Sequence, residues 1–285
     1  MDKVFLFALA FSLGCNSQAQ EDLFTKGETL GKVNIRLEEA SGLVASVNNE
    51  GYYWTHNDSG HPPEVFLIDE HAQIKLVCKL KKIKNRDWED ITVGPGPIEG
   101  KTYIYVGDIG DNNAKYPFKF IYRFEEPVIS DQKEITISDF ETLVVKLSDQ
   151  VRDTEALTID PISHNMFIFS KREDSMRLYE IGYPFSSDTL VANVIDKLPF
   201  HNINAADISA DGREVLIKNY NSIYYWKREG DESLAKLFER KPNVLPYDNG
   251  PQDEAIAWKR DGSGFFVLGE TVKKKGGELV LHKRK

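Results

Sequence analysis

A tripeptide that recurs five times along the chain restricts the possible folds more than any other feature of the sequence. Successive copies begin 48, 66, 51 and 48 residues apart, and each one opens a short apolar segment. The copies are Ser41-Gly42-Leu43, Glu89-Asp90-Ile91, Glu155-Ala156-Leu157, Ala206-Asp207-Ile208 and Glu254-Ala255-Ile256. A strand-rich unit of about 50 residues that repeats is typical of propeller blades. The sequence therefore predicts an all-β fold, a five-bladed β-propeller, with six blades as the less favoured count.

The pattern of apolar runs and turn residues predicts four strands in each of the first four units. Ile135–Leu147 is predicted as the outer strand of the second unit and Ala235–Glu239 as that of the fourth. The fifth unit has only three predicted strands. The alternating segment Lys32–Leu37 is expected to supply the missing outer strand, because closure of this kind removes exposed sheet edges.

In a propeller the innermost strands line a central channel, so equivalent positions form a ring around the axis. The first tripeptide positions, here called the axial residues, are Ser41, Glu89, Glu155, Ala206 and Glu254. Three carboxylates that converge on one axis repel each other unless a cation lies among them. Oxygen ligands favour calcium over transition metals. The ring therefore predicts a cation, with calcium favoured, among Glu89, Glu155 and Glu254.

A different interpretation of the three axial glutamates needs no metal. Channel water could solvate them, or Arg86 and Arg152, which are close in sequence, could pair with them.

The ends of the second strands are expected to face the same channel opening, and they are unusually polar. The candidate residues there are Asp58, Asp108, Lys171, Arg172, Lys218 and Glu270. Mixed charge of this kind suits a phosphate-bearing ligand. The three cations and Glu270 would bind the substrate, and one of the two aspartates would orient or deprotonate a water molecule. The structural alternative is that the aspartates form ordinary turns and the cations are solvated surface charges.

The N-terminus has the pattern of an export signal. Lys3 precedes the apolar run Val4–Leu13, which is too short to span a bilayer. The segment that ends at Cys15 resembles a bacterial lipobox, so residues 1–15 are predicted as a signal with a lipid anchor at Cys15. Residues 16–30 are predicted as a flexible tether and 31–285 as one propeller domain. Ordinary cleavage near Ala19, giving a periplasmic or secreted protein, is the alternative to an outer-membrane or cell-surface lipoprotein.

The overall charge limits the partners of the chain. A formal net charge of −9 argues against non-specific binding to nucleic acid or to an anionic membrane surface. The sequence contains no Gly-x-Ser-x-Gly motif and no Walker loop, which lowers the expectation of serine-esterase or P-loop chemistry. It leaves the oligomeric state open.

Two local strings have a distinctive pattern: Tyr53–Gly60, a strand that ends in an aspartate-containing turn, and Asp87–Val93 followed by Tyr105–Gly110. Both strings resemble the calcium-activated nucleotidases, or soluble apyrases. The resemblance spans most of residues 39 to 270, and a looser one exists to bacterial phytase-like and esterase-like propellers.

The resemblance implies a five-bladed propeller with one axial calcium and a nucleotide substrate. On it, the calcium ligands would be Ser41, Glu89, Glu155 and Glu254, the phosphate-binding cations Lys171, Arg172 and Lys218, and the water-polarising residue Asp58. The chain departs from the family pattern at Ala206, where a serine is expected, and at Asp108, where glycine is usual.

The sequence thus supports three functional hypotheses. The first is a calcium-dependent hydrolase of nucleotides or other phosphorylated small molecules. The second is a non-enzymatic cell-surface module that binds a glycan, peptide or protein and holds a structural metal. The third is a calcium-dependent lactonase or esterase.

Overall fold

A computed structural model of the protein describes residues 23–248, 252–271 and 277–285. The strands are, in chain order, β1 (Glu28–Lys32), β2 (Ala40–Ala45), β3 (Tyr52–Asn57), β4 (Glu64–Asp69), β5 (Ile74–Leu80), β6 (Trp88–Pro95), β7 (Thr102–Asp108), β8 (Lys119–Glu125), β9 (Glu134–Ile137), β10 (Glu141–Leu147), β11 (Thr154–Ile159), β12 (Met166–Ser170), β13 (Met176–Ile181), β14 (Leu190–Leu198), β15 (Ile203–Ile208), β16 (Glu214–Asn219), β17 (Ile223–Lys227), β18 (Asn243–Leu245), β19 (Asp253–Trp258), β20 (Gly264–Gly269) and β21 (Glu278–Lys283). A 3₁₀ helix at Ile35–Leu37 and a short α-helix, α1, at Leu234–Phe238 accompany them. The all-β class is therefore confirmed.

Neither helix of the described ranges has the length and apolar character needed to cross a membrane. The predicted signal segment, including Cys15, lies outside the described residues.

Antiparallel pairing groups the strands into five four-stranded units. Their strand orders are β2-β3-β4-β5 in unit 1, β6-β7-β8-β10 in unit 2, β11-β12-β13-β14 in unit 3, β15-β16-β17-β18 in unit 4 and β19-β20-β21-β1 in unit 5. Two parallel pairings extend these units. β9 pairs with β5 of unit 1, and β10 of unit 2 pairs with β14 of unit 3. The first strand of each unit contacts the first strand of the next, and β19 contacts β2.

The hydrophobic core lies between successive units rather than in one central mass. A separate buried cluster fills each junction, including the junction between unit 5 and unit 1. Trp54 and Trp88 pack between units 1 and 2, and Trp258 packs between units 4 and 5. Because each sheet packs both faces against its neighbours, the inner strands are buried almost throughout.

The outer strand of unit 5 comes from the N-terminal segment, but earlier in the chain than the sequence predicts. β1 pairs with β21 through Glu28–Lys32, whereas Ile35–Leu37 forms the 3₁₀ helix. The Asn34 side chain accepts a hydrogen bond from the backbone N–H of Arg36, which ends the extended conformation there. Phe24 is also buried against unit 5, so the folded domain includes residues assigned to the tether.

The outer strands of units 2 and 4 also differ from the sequence predictions. Ile135–Leu147 is split between β9, which joins unit 1, and β10, which belongs to unit 2. The predicted strand Ala235–Glu239 is helical. Ser233 caps that helix by accepting from the N–H of Lys236, and its apolar residues recur at helical spacing towards the core. The three-residue strand β18 takes the outer position instead.

Candidate functional site at the acidic end

Each inner strand has a register shift near its first residue, and this shift identifies the equivalent positions. In units 2 to 5 the residues left without a cross-strand partner are Glu89, Glu155, Asn204 and Glu254. In unit 1 the unpaired residue is Gly42, so there the shift does not mark Ser41, which pairs with His56. A β-bulge of this kind bends the strand and redirects a side chain. The axial residue of unit 4 is thus Asn204, and the sequence assignment of Ala206 is wrong. Ala206 packs between units 3 and 4 instead.

A second layer of residues follows the second strands. In four units the residue there donates its backbone N–H to the carbonyl that lies two positions before the axial residue. The pairs are Asp58 with Glu39 (2.8 Å), Gly110 with Asp87 (3.1 Å), Lys171 with Asp153 (3.2 Å) and Glu270 with Gln252 (3.1 Å). Asp58, Gly110, Lys171 and Glu270 are therefore equivalent. Asp108 and Lys218 lie earlier on their strands, within β7 and β16.

Three carboxylates meet at the junction of units 1 and 2. Asp58, Asp87 and Glu89 each offer an oxygen atom, and these atoms all lie within 4.8 Å of one another. Glu89 is only 3% exposed, and its carboxylate has no hydrogen-bond donor among the described residues. A Cβ atom at Gly110 would overlap Glu89 Oε1 and lie 2.5 Å from Asp87 Oδ2. The space beside this cluster therefore depends on glycine at that position.

The environment of these three carboxylates disfavours their ionised forms. Burial, together with the charges of Glu155, Asp58 and Asp87, raises the pKa of Glu89 well above its ordinary value. Burial raises the pKa of Asp58 to about 6, although the N–H of Ser59 opposes the change, and burial also raises the pKa of Asp87. A divalent cation would reverse this balance, since it stabilises carboxylates in the charged form.

The axial glutamates of units 3 and 5 have partners from the protein. Lys171 Nζ lies 2.5 Å from Glu155 Oε2, and both side chains are less than one-tenth exposed. The same ammonium lies 5.3 Å from the ring centroid of Tyr220, whose hydroxyl donates to Glu254 Oε1 at 2.7 Å. Burial raises the pKa of Glu155 to about 7 against the opposing effect of Lys171. Lys171 and Tyr220 thus connect two axial carboxylates.

The other two axial residues are also engaged. Ser41 Oγ donates to the backbone carbonyl of Glu89 at 2.6 Å. The Asn204 amide donates to the carbonyl of Asp253 and accepts from Lys218 Nζ at 3.2 Å. Lys218 is fully buried, and burial lowers its pKa to about 8. This lysine therefore holds the inner strands of units 4 and 5 rather than facing a ligand.

Asp108 lies outside the three-carboxylate cluster. Its Oδ1 is 3.1 Å from Arg86 Nε, and Tyr122 donates to its other oxygen at 3.3 Å. Arg152 pairs instead with Asp149 and Glu173. The two arginines considered as partners of the axial glutamates are thus engaged elsewhere.

Arg172 and Glu270 lie at the rim of the same end. The Arg172 side chain is 49% exposed and its Nε is 2.6 Å from Asp153 Oδ2. Burial, with the charges of Glu254 and Asp58, raises the pKa of Glu270 to about 8. We call the region formed by Asp58, Asp87, Glu89, Glu155, Glu254 and Glu270 the acidic end.

Four residues of this end were not assigned a role from the sequence, namely Asp87, Gly110, Asn204 and Tyr220. Asp87 and Gly110 belong to the strings that resemble nucleotidases, and Tyr220 directly follows a second strand. These positions in the sequence could have identified all three as candidate site residues. No sequence feature identified Asn204, because only the bulge seen in the structure places it at the axial position. The chain matches no protein-family model and no curated protein.

Proposed function

We propose that the protein is a five-bladed β-propeller that binds calcium at the acidic end and hydrolyses a phosphorylated small molecule there. The propeller is supported by the five four-stranded units and by the contacts that link their first strands, including β19 with β2. The cluster of Asp58, Asp87 and Glu89 carries the proposal for the cation. The resemblance to calcium-activated nucleotidases points to the same chemistry.

The residues of this cluster fit calcium. All three offer carboxylate oxygens, the ligand type that calcium prefers, and the Glu89 carboxylate has no competing donor in the described part of the chain. Bound there, calcium would polarise a phosphoryl oxygen and offset the charge of the substrate. Whether Ser41, Glu155 and Glu254 also contribute ligands stays a prediction, because protein groups already contact their side chains.

The chain supplies the remaining functions from its own side chains. Asp58 is half-buried at the edge of the cluster, with one carboxylate oxygen bonded to the N–H of Ser59. Its other oxygen is the candidate to orient or deprotonate the attacking water. Among the three predicted phosphate-binding cations, Arg172 has the exposure needed to reach a ligand, whereas Lys171 and Lys218 are buried. We propose that Arg172 contacts the phosphate.

The decisive experiment is release of phosphate from nucleoside di- and triphosphates by the purified protein, in millimolar calcium and again in excess chelator. Turnover that requires calcium is expected, and Asp58→Asn should reduce kcat by about 100-fold or more, as expected for loss of a general base. Glu232→Gln, which changes an acidic residue paired with Arg240 far from this end, is the matched control. Turnover that continues in chelator would contradict the proposal.

A single added methyl group should test the cation site directly. Gly110→Ala places a Cβ atom against Glu89 Oε1 and Asp87 Oδ2, so at least one ligand must move. We expect calcium affinity to fall by roughly 10- to 100-fold, comparable to loss of a group that orients a ligand. Titration calorimetry measures this, and Gly182→Ala, where a Cβ meets no atom within 4 Å, is the control. Equal affinity of both variants would count against the site.

A binding module with a structural metal is the second candidate function. The observation that favours it is the pairing of Lys171 with Glu155 and of Arg172 with Asp153, since these cations already have anionic partners. In that case no phosphate would be released with or without calcium, and chelation of calcium would lower the melting temperature.

We further propose that the protein is exported and anchored through a lipid on Cys15. Cys15→Ser should then prevent incorporation of labelled palmitate and release the protein from the membrane fraction. Continued membrane association of this variant would favour a different mode of attachment.

A further inference from the structure

The acidic end contains a cation supplied by the protein itself, the ammonium group of Lys171. This side chain occupies the second layer above the axial residues, at the position that is Gly110 in unit 2. Its Nζ lies 2.5 Å from Glu155 Oε2, and it approaches Glu254 through Tyr220. The lysine is 7% exposed, so water does little to screen its charge.

The contacts divide the axial residues into two groups. Glu155 contacts Lys171, Glu254 contacts Tyr220, and Asn204 contacts Lys218. Glu89 instead joins Asp58 and Asp87 beside Gly110. The three carboxylates therefore converge beside unit 2, the unit that has glycine rather than a side chain at the second-layer position.

We propose that Lys171 acts as an internal competitor for the divalent cation: it holds Glu155 directly and Glu254 through Tyr220, confines calcium to Asp58, Asp87 and Glu89, and weakens calcium binding. This inference rests on the proposed cation site and adds the residue that sets its affinity and position. Two physical effects produce the weakening. Lys171 withholds carboxylate ligands, and its positive charge repels a second cation across a poorly screened interior.

The role differs from that of a phosphate-binding lysine. A lysine that only contacts the substrate would change KM for a phosphate ester and leave the affinity for calcium alone unchanged. An internal competitor changes the affinity for calcium even in the absence of substrate. Removal of a calcium ligand weakens calcium binding, whereas removal of the competitor tightens it.

The test is titration of the full chain with calcium chloride alone, by calorimetry, for the wild type and for Lys171→Met. We expect Lys171→Met to bind calcium at least about tenfold more tightly, a change of about 1.4 kcal/mol. Calcium should also raise the melting temperature of this variant by more than that of the wild type. Lys171→Arg, which keeps the charge, should bind calcium as weakly as the wild type.

Arg172→Met is the matched control. It removes one positive charge from the same end, but Arg172 contacts Asp153 and Asn112 rather than an axial glutamate. Its calcium affinity should stay within about twofold of the wild type, since the charge is half-exposed and screened. Lys171→Gln keeps a hydrogen-bond donor for Glu155 and removes the charge. It serves in place of Lys171→Met if that variant does not fold.

The outcomes separate this inference from the proposed function. If the wild type binds calcium and Lys171→Met binds it no better, the competitor role is overturned while the cation site stands. If only Lys171→Met binds, Lys171 is the competitor and the wild-type calcium-dependent function is overturned. Equal tightening by Arg172→Met would replace the specific role with a general charge effect and so overturn the inference.

Discussion

Replacement of Glu89 by Gln is expected to abolish calcium binding while leaving the fold intact. The substitution keeps the size of the side chain but removes the charge of the most buried carboxylate in the cluster with Asp58 and Asp87. Loss of one of three anionic ligands should lower calcium affinity by more than about 100-fold, beyond the effect of changing a group outside the ligand set. Titration calorimetry and the calcium-dependent rise in melting temperature are the two measurements.

The matched control is Glu155→Gln, because Glu155 is also a buried axial glutamate. Its carboxylate is paired with Lys171 rather than joined to the cluster, so its loss should reduce calcium affinity far less than Glu89→Gln does. The opposite order, with Glu155→Gln abolishing binding and Glu89→Gln retaining it, would place the cation on the side of units 3 and 5. The proposed cation site at Asp58, Asp87 and Glu89 would then be rejected.

The sequence repeat predicted the strands of each unit well because every copy must meet the same physical requirement. Each inner strand is buried on both faces, so every copy needs an apolar segment at the same place, and the turns between strands need Gly, Asn and Asp. These requirements are visible in the residues of each unit. Most predicted strands accordingly agree with the observed ones to within a few residues at either end.

The errors arose where tertiary contacts decide between local alternatives. Asp207-Ile208 has the same sequence as Asp90-Ile91. Because of this similarity, the tripeptide of unit 4 was predicted to begin at Ala206, two residues after the bulge residue Asn204. Both aspartates use one oxygen on the following N–H and the other on a neighbouring strand, Asp90 on the N–H of Leu157 and Asp207 on that of Trp258. They resemble each other as strand connectors, although they lie at different distances from the bulge.

The charged residues of the acidic end show the same limit of prediction from sequence. The sequence indicated that polar groups follow the second strands, but it could not determine which of them face one another. Asp108 and Lys218 lie within their strands and contact Arg86 and Asn204, whereas Asp58 and Lys171 lie one step beyond the strand ends. A shift of one or two residues along a strand turns a residue of the acidic end into one that only joins strands.

The largest loss of stability is expected from Asp160→Ala, far from the acidic end. Asp160 follows the inner strand of unit 3 and forms two hydrogen bonds, of 2.9 and 3.2 Å, with Arg228 of unit 4. The Arg228 side chain is fully buried and that of Asp160 is 4% exposed. Removal of the carboxylate leaves a buried guanidinium without its anion, which costs about 3–5 kcal/mol. The free energy of unfolding in urea measures the loss.

The control for this prediction is Asp231→Ala, which removes an ion pair with Arg213 at the surface, where both side chains are largely exposed. That change should cost less than about 1 kcal/mol. The double variant Asp160→Ala with Arg228→Met should recover part of the loss, because no buried charge is then left unpaired. If Asp160→Ala were no more destabilising than Asp231→Ala, the buried pair would not hold units 3 and 4 together.

The pH dependence of the same pair has a definite sign. Although burial opposes ionisation, the bonds with Arg228 and Ser163 hold the pKa of Asp160 below its ordinary value. A carboxyl whose pKa is lower in the folded than in the unfolded state stabilises the fold above the unfolded pKa, and that contribution disappears as the pH falls through the folded value. The difference in unfolding free energy between wild type and Asp160→Ala should therefore be full near pH 7 and shrink below about pH 4. A difference that grew on acidification would show that the carboxylate is not stabilised in its charged form.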